Sequence, residues 1–206
     1  MTEPAYRIVL ASASPGRLAT LRRAGIEPEV IVSRVDEGRV TAPTTADLVG
    51  ALARLKCRDV AGRLDVAGPT LVVGGDSMLE LDGSACGKPG TPEAAAAQWR
   101  SMRGRTGVLH SGLCVRRLEA GSEPAREASG VGSTAVRFAD LSDAEIAAYV
   151  ATGEPLRVAG AFTIDGLGGP FVRGVDGDPH NVVGLSLPLL RHLLAELDVA
   201  WPDLWR

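Results

Sequence analysis

Four short stretches carry side chains that could handle a chain of phosphates. In "LASASPGRLATLRRAG", residues 10–25, an apolar run gives way to Ser12, Ser14 and Pro15, and a helix opens with Arg17 in its first turn. Backbone N–H groups at a helix N-terminus attract anions, and serine hydroxyls add donors. A cation in the first turn opposes the helix dipole, at a cost of roughly a few tenths of a kcal/mol, unless an anion sits beside it. The same residues also suit plain N-capping with surface arginines. In "RVDEG", Asp36 and Glu37 stand at the exit of an apolar segment, where adjacent carboxylates can hold a divalent cation, orient a water or simply face solvent in a turn.

In "VVGGDS", Asp76 follows an apolar run and two glycines. An acid placed there lies where clefts in α/β folds open, at the carboxyl end of a strand. It can also cap a turn through its own backbone. In "CGKPG", Lys88 is presented from a loop that Gly87 makes open and Pro89 stiffens, as a point cation for a phosphate or a surface lysine in a turn. Lys56 lies on a helix, beside a leucine stripe, and can point into a cleft or snorkel at its boundary. His110, His180 and His192 show no metal-ligand spacing. Neither the Walker loop, the dinucleotide-binding glycine fingerprint nor the nucleophile-elbow motif is present, so any phosphate site uses other loops.

The elements that must position these groups are legible in outline. "YRIVLAS" reads as a buried strand, and Ser14, Pro15 and Gly25 bound the first helix. "EPEVIVSRV" reads as a second strand. A helix spans 46–61 with a stripe of Leu48, Leu52 and Leu55. "TLVVGGDS" reads as a strand buried on both faces, followed by a hairpin or turn-rich loop in "LELDGSACGKPG". Thr91 and Pro92 open a helix to about Met102. "TGVLHSGLCVRRL" and "GSTAVRF" read as strands, joined by the polar connection "EAGSEPAREASG". Ser142 and Glu145 form a capping box for the next helix, which Gly153 ends. "GAFTIDGLGGPFVRGVDGD" reads as short strands between tight turns. Pro188 opens a last helix with Leu190, Leu193, Leu194 and Leu197 on one face. Helices and strands mix without strict alternation, which predicts an α/β fold with a mixed central sheet flanked by helices.

The totals narrow the function classes. With 206 residues and no linker, one domain over 1–206 is expected. The formal net charge of -3 argues against a general nucleic-acid binder, which needs a basic footprint. Cys57, Cys86 and Cys114 are far apart in sequence and read as reduced thiols. No export signal and no long apolar run precede or interrupt the chain, so the expected location is the cytoplasm, away from membranes.

Taken in order, "LASASPGR", "VDE", "LARLKC", "GGDS", "GKPGTPEAA", "MRGRTGVLHSG", "YVATGEPLRVAGAFTIDGLGGPFV" and "GDPHNVVGLSLPLL" resemble the Maf family of nucleoside triphosphate pyrophosphatases. The resemblance covers nearly the whole chain. It implies an elongated two-lobed α/β domain with a cleft, often dimeric. It also implies hydrolysis of a canonical or modified nucleoside triphosphate to monophosphate and pyrophosphate with Mg²⁺ or Mn²⁺, cleansing the nucleotide pool. Asp76 matches the family's proton acceptor; Ser12, Arg17, Glu37, Lys56 and Lys88 match other polar residues of the cleft. Glu37 is assigned to the metal, although it and Asp76 could exchange roles. The base-reading positions depart from the better-known branches: Gly16, Ser77 and Asp165 stand where other residues are usual, and Arg157 and Val158 replace the common "DK". The resemblance therefore implies the reaction and leaves the nucleobase open. A regulator of cell division that binds nucleotide without turnover, or a phosphatase releasing single phosphates, are the competing readings.

Overall fold

The computed structural model describes residues 6–120 and 125–205. Its elements are β1 (Arg7–Ala11), α1 (Pro15–Arg23), β2 (Glu29–Val30), α2 (Thr45–Ala61), β3 (Thr70–Leu81), β4 (Ser84–Cys86), α3 (Pro92–Met102), β5 (Thr106–Leu118), β6 (Arg126–Phe138), α4 (Asp143–Ala151), β7 (Val172–Asp176), α5 (Pro179–Val183) and α6 (Leu187–Glu196). The strands form one seven-stranded sheet in the order β2-β1-β3-β5-β6-β7, with β4 also paired to β3. β1 is parallel to β2 and β3, and the remaining ladders are antiparallel. The expected mixed α/β architecture is the one observed.

The long strands β3, β5 and β6 run through two packed halves. In the first half, alternation along β1 and β3 sends Ile8, Leu10, Leu71 and Val73 to a core with α1 and α6. Val9, Ala11 and Val72 go to the other face, against Ala53, Cys57 and Val60 of α2. In the second half, Leu79 and Leu81 of β3 join Leu109, Val136 and Phe138 beneath α3 and α4. Trp99 anchors that core. Its ring meets Phe138 and Tyr149 edge-on at 5.7 Å, and its indole N–H donates to the Ala161 carbonyl at 2.8 Å.

Several local expectations hold. Ser14 caps α1 with Pro15 at its first position, and Gly25 lies beyond its end with a φ of 80°. Thr91 and Pro92 open α3, and Ser142 and Glu145 form the capping box of α4. Leu190, Leu193, Leu194 and Leu197 are all buried.

Other expectations are corrected. The second strand is only Glu29–Val30, because β1 ends at Ala11 and offers nothing further to pair with. The chain beyond it is tied to α2 instead: Arg34 N–H donates to Asp59 Oδ2 at 2.9 Å, and Arg63 donates to the Val32 carbonyl at 3.1 Å. The buried face of α2 is Val49, Leu52, Ala53, Lys56, Cys57 and Val60, while Leu55 is 39% exposed. Strand β6 begins at Arg126, so part of the supposed polar connection is ladder; residues 121–124 of that connection lie outside the described residues. The glycine-dense 160–178 segment contains a single strand, β7, and otherwise tight turns and short 3-10 turns. Helix α5 had no expectation attached to it.

Candidate active site

The site is built around residues 75–78, midway along β3. On one edge, β3 pairs with β5 throughout. On the other edge, β1 covers Thr70–Gly74 and β4 covers Leu79–Leu81, and neither ladder reaches Gly75–Met78. The opening therefore lies just beyond the carboxyl end of β1, the usual place for a ligand in an α/β sheet.

Alternation sends Asp76 and Ser77 to opposite faces of β3. Asp76 points to the α2 side. There the Lys56 ammonium stands 2.7 Å from Asp76 Oδ1 and 2.7 Å from Glu37 Oε1. The Lys56 and Asp76 side chains are only 9% and 10% exposed. Two glycines let α2 approach this closely. A Cβ on Gly74 would lie 2.5 Å from the Ala53 carbonyl oxygen and 2.7 Å from Cys57 Cβ, and one on Gly112 of β5 would run into the Val49 carbonyl. The bare backbone of the strands thus brings Lys56 down to Asp76. Glu37 arrives from the loop between β2 and α2, at the start of a 3-10 turn.

On the other face, Arg17 is 7% exposed and held from three sides. Its Nη1 donates to Ser12 Oγ at 2.8 Å, its Nη2 to Ser77 Oγ at 2.9 Å and its Nε to the Gly184 carbonyl at 2.8 Å. Burial lowers the Arg17 guanidinium from its ordinary value, while the charges of Asp76 and Glu37 act in the opposite sense.

The hydroxyls behind Arg17 form one connected network. Ser111 Oγ has the Asn181 carbonyl as an acceptor at 2.9 Å and lies 2.8 Å from Ser77 Oγ. Ser77 Oγ accepts from Arg17 and has the Gly184 carbonyl 3.4 Å away as a second acceptor for its own proton. Asn181 is fully buried and donates through Nδ2 to the Leu109 carbonyl at 3.1 Å and Thr134 Oγ1 at 3.2 Å. Ser111, Asn181 and Gly184 were not singled out from the sequence. "PHNVVG" is the signal that could have found them, because a buried asparagine needs several partners.

The remaining candidates are placed differently. Lys88 is exposed, and no ion pair or hydrogen bond joins its side chain to the cluster among the described residues. Its loop is tethered to the second half by the Gly160 N–H bond to the Gly87 carbonyl (3.3 Å) and the Gly90 N–H bond to the Leu156 carbonyl (3.0 Å). Gly16 packs α1 on α5: a Cβ there would lie 3.0 Å from the Val183 carbonyl oxygen. Asp165 sits on the loop after Phe162, and its Oδ2 lies 3.5 Å from Nη1 of Arg23 on α1. That loop therefore faces the first helix.

A buried lysine between two carboxylates, with a buried arginine bonded to Ser77 on the unpaired strand edge, gives this α/β protein groups that can bind a polyanion and move a proton beside it. The comparisons agree with that class and narrow it. The pattern of the Maf-like protein family matches residues 7–197, and the chain belongs to that family. A Streptomyces coelicolor protein named nucleoside triphosphate pyrophosphatase is 56% identical over 203 residues, covering 98% of this chain and 96% of its own. A Salinispora tropica protein of the same name is 58% identical over 201 residues, covering 97% and 87%. Among solved structures, a nucleoside-triphosphatase / dITP/XTP pyrophosphatase from Mycobacterium abscessus has a TM-score of 0.37 at 14% identity, over 93% of this chain and 94% of its own, too slight a likeness to argue from.

Proposed function

We propose that this chain hydrolyses a nucleoside 5'-triphosphate, canonical or modified, to the nucleoside monophosphate and pyrophosphate, in a cytoplasmic role that clears the nucleotide pool. The observation that carries the reading is the Lys56 ammonium 2.7 Å from both Asp76 and Glu37, beside buried Arg17. The names of the relatives support the same chemistry.

In this reading the triphosphate lies along the open edge of β3. Arg17, with N–H groups beyond the three already bonded, and Lys56 offset its charge, and Lys88 reaches it from its exposed loop. Water attacks the α-phosphorus, the bond to the α–β bridging oxygen breaks, and pyrophosphate leaves with the electron pair. Lys56 takes Asp76 Oδ1, leaving Oδ2 to receive the proton of the attacking water. By the family resemblance, Ser77, Asp165 and Gly16 would lie toward the nucleobase.

The donor set also fits a divalent cation. No three metal-ligating side chains of the His, Cys, Asp and Glu type converge among the described residues. Glu37 and Asp76, however, already enclose one positive centre, the Lys56 ammonium. Mg²⁺ commonly binds through one or two carboxylates plus phosphate oxygens and water, so Glu37 would hold Mg²⁺ or Mn²⁺ together with the substrate, leaving Asp76 to take the proton. Such an ion would offset charge on the phosphate oxygens.

Replacing Asp76 by Asn tests the assignment. Turnover falls by roughly 10² or more with the fold intact if Asp76 takes the proton. Near-normal turnover removes it from that role.

A further inference from the structure

The loop that carries Asp165 is wrapped around one carboxylate, Glu154. Its Oε1 accepts from Tyr149 Oη at 2.9 Å, Thr163 Oγ1 at 2.6 Å and the Gly168 N–H at 3.0 Å. Its Oε2 accepts from the Leu167 N–H at 3.0 Å. The four donors come from the last turns of α4 and from both ends of the loop, with Asp165 between them. The wrap is tight. A Cβ on Gly166 would lie 2.6 Å from Glu154 Oε2, and one on Gly168 would lie 2.5 Å from Tyr149 Oη. Burial raises the Glu154 carboxyl, but the hydrogen bonds from Thr163, Leu167, Tyr149 and Gly168 outweigh it and hold the group below its ordinary value.

No hydrogen bond or ion pair joins Glu154 to Arg17, Lys56 or Asp76 among the described residues. Its contacts fix the direction in which the loop presents Asp165 toward α1, where Arg23 lies 3.5 Å away. Four directed bonds at one carboxylate define a loop more sharply than apolar packing does, because each bond is lost if the backbone turns.

We infer that Glu154 is a positioning residue for nucleobase selection: it holds the 163–168 loop so that Asp165 meets the base. The inference rests on the reading that Asp165 faces the nucleobase. Glutamine at 154 keeps the size but turns an acceptor into a donor, which then opposes an N–H or hydroxyl already pointing at it.

The test is a double-mutant cycle on nucleobase preference, read as the ratio of kcat/KM between the best and worst members of a nucleoside triphosphate panel. Asp165→Ala should compress that ratio about tenfold, the scale of one lost polar contact in a binding site. Glu154→Gln should compress it by a similar factor while kcat on the worst substrate holds. Glu154→Gln added to Asp165→Ala should change the ratio no further. Thr163→Val, which removes one donor, should give a smaller compression in the same direction, and it serves as the reporter should Glu154→Gln fold poorly. If Asp165→Ala compresses the ratio while Glu154→Gln and Thr163→Val leave it intact, the inference about Glu154 is wrong. Should the Glu154 variant lower kcat on every nucleotide equally, its role is structural only. An unchanged ratio in Asp165→Ala overturns the reading of Asp165 itself.

Discussion

A Cβ added to Gly74 would lie 2.5 Å from the carbonyl oxygen of Ala53, so helix α2 rests on the bare backbone of β3. Lys56 sits three residues further along that helix and Asp76 two residues further along that strand. The close approach of the two elements therefore sets the lysine–carboxylate contact.

Gly74→Ala should separate them. The added methyl meets backbone, which cannot swing aside, so overpacking costs about 1–3 kcal/mol. Thermal unfolding should show the loss, and kcat/KM should fall with it although no polar group has been removed. A variant with normal stability and normal activity would show that α2 tolerates displacement.

Lys56→Met should destabilise the protein by about 3–5 kcal/mol, because it leaves Asp76 buried without its partner. The double variant with Asp76→Asn should regain much of that stability while remaining inactive. Denaturant unfolding of the two variants makes the comparison. Equal destabilisation in both would mean that the charge of Asp76 is not what Lys56 compensates.

The elements around this contact were legible to different degrees. Helix α1 was readable because Ser14, Pro15 and Gly25 punctuate it chemically. Strand β5 was readable because apolar residues recur along a stretch that holds no proline. Of the leucine stripe on α2, Leu52 is buried but Leu55 is exposed, because Gly74 and Gly112 create a shallow bed that small side chains such as Ala53 and Cys57 fit. Strand β2 was overextended because "VIV" has strand propensity, but a strand needs a neighbour and β1 stops at Ala11. Of the site, Arg17, Lys56, Asp76 and Glu37 were singled out because charge beside an apolar run or stripe, or at its end, is conspicuous. The hydroxyls and carbonyls that lock Arg17 were not: Ser111 hides inside a strand and Gly184 contributes only its backbone.

Lys88→Ala should leave the melting temperature unchanged, since the side chain is exposed and unpaired among the described residues. If the lysine reaches the triphosphate, KM should rise about tenfold, equivalent to roughly 1.4 kcal/mol of lost binding. Steady-state kinetics with KM and kcat both unaltered would return Lys88 to an ordinary surface turn.

Chelation of divalent cations should abolish turnover and barely move the melting temperature. Lys56 already bridges Glu37 and Asp76, so the fold does not depend on a metal to hold the carboxylates together. Full activity in the presence of excess chelator would remove the metal from the proposed reaction. A large drop in melting temperature would show a structural ion instead.

In the proposed reaction, water attacks the α-phosphorus of a nucleoside triphosphate held beside Asp76. Turnover in heavy-oxygen water, with the products separated and weighed, tests it most directly. Pyrophosphate and nucleoside monophosphate should form in equal amounts, with the solvent oxygen in the monophosphate. Solvent oxygen in the pyrophosphate, or release of orthophosphate and nucleoside diphosphate, would contradict it.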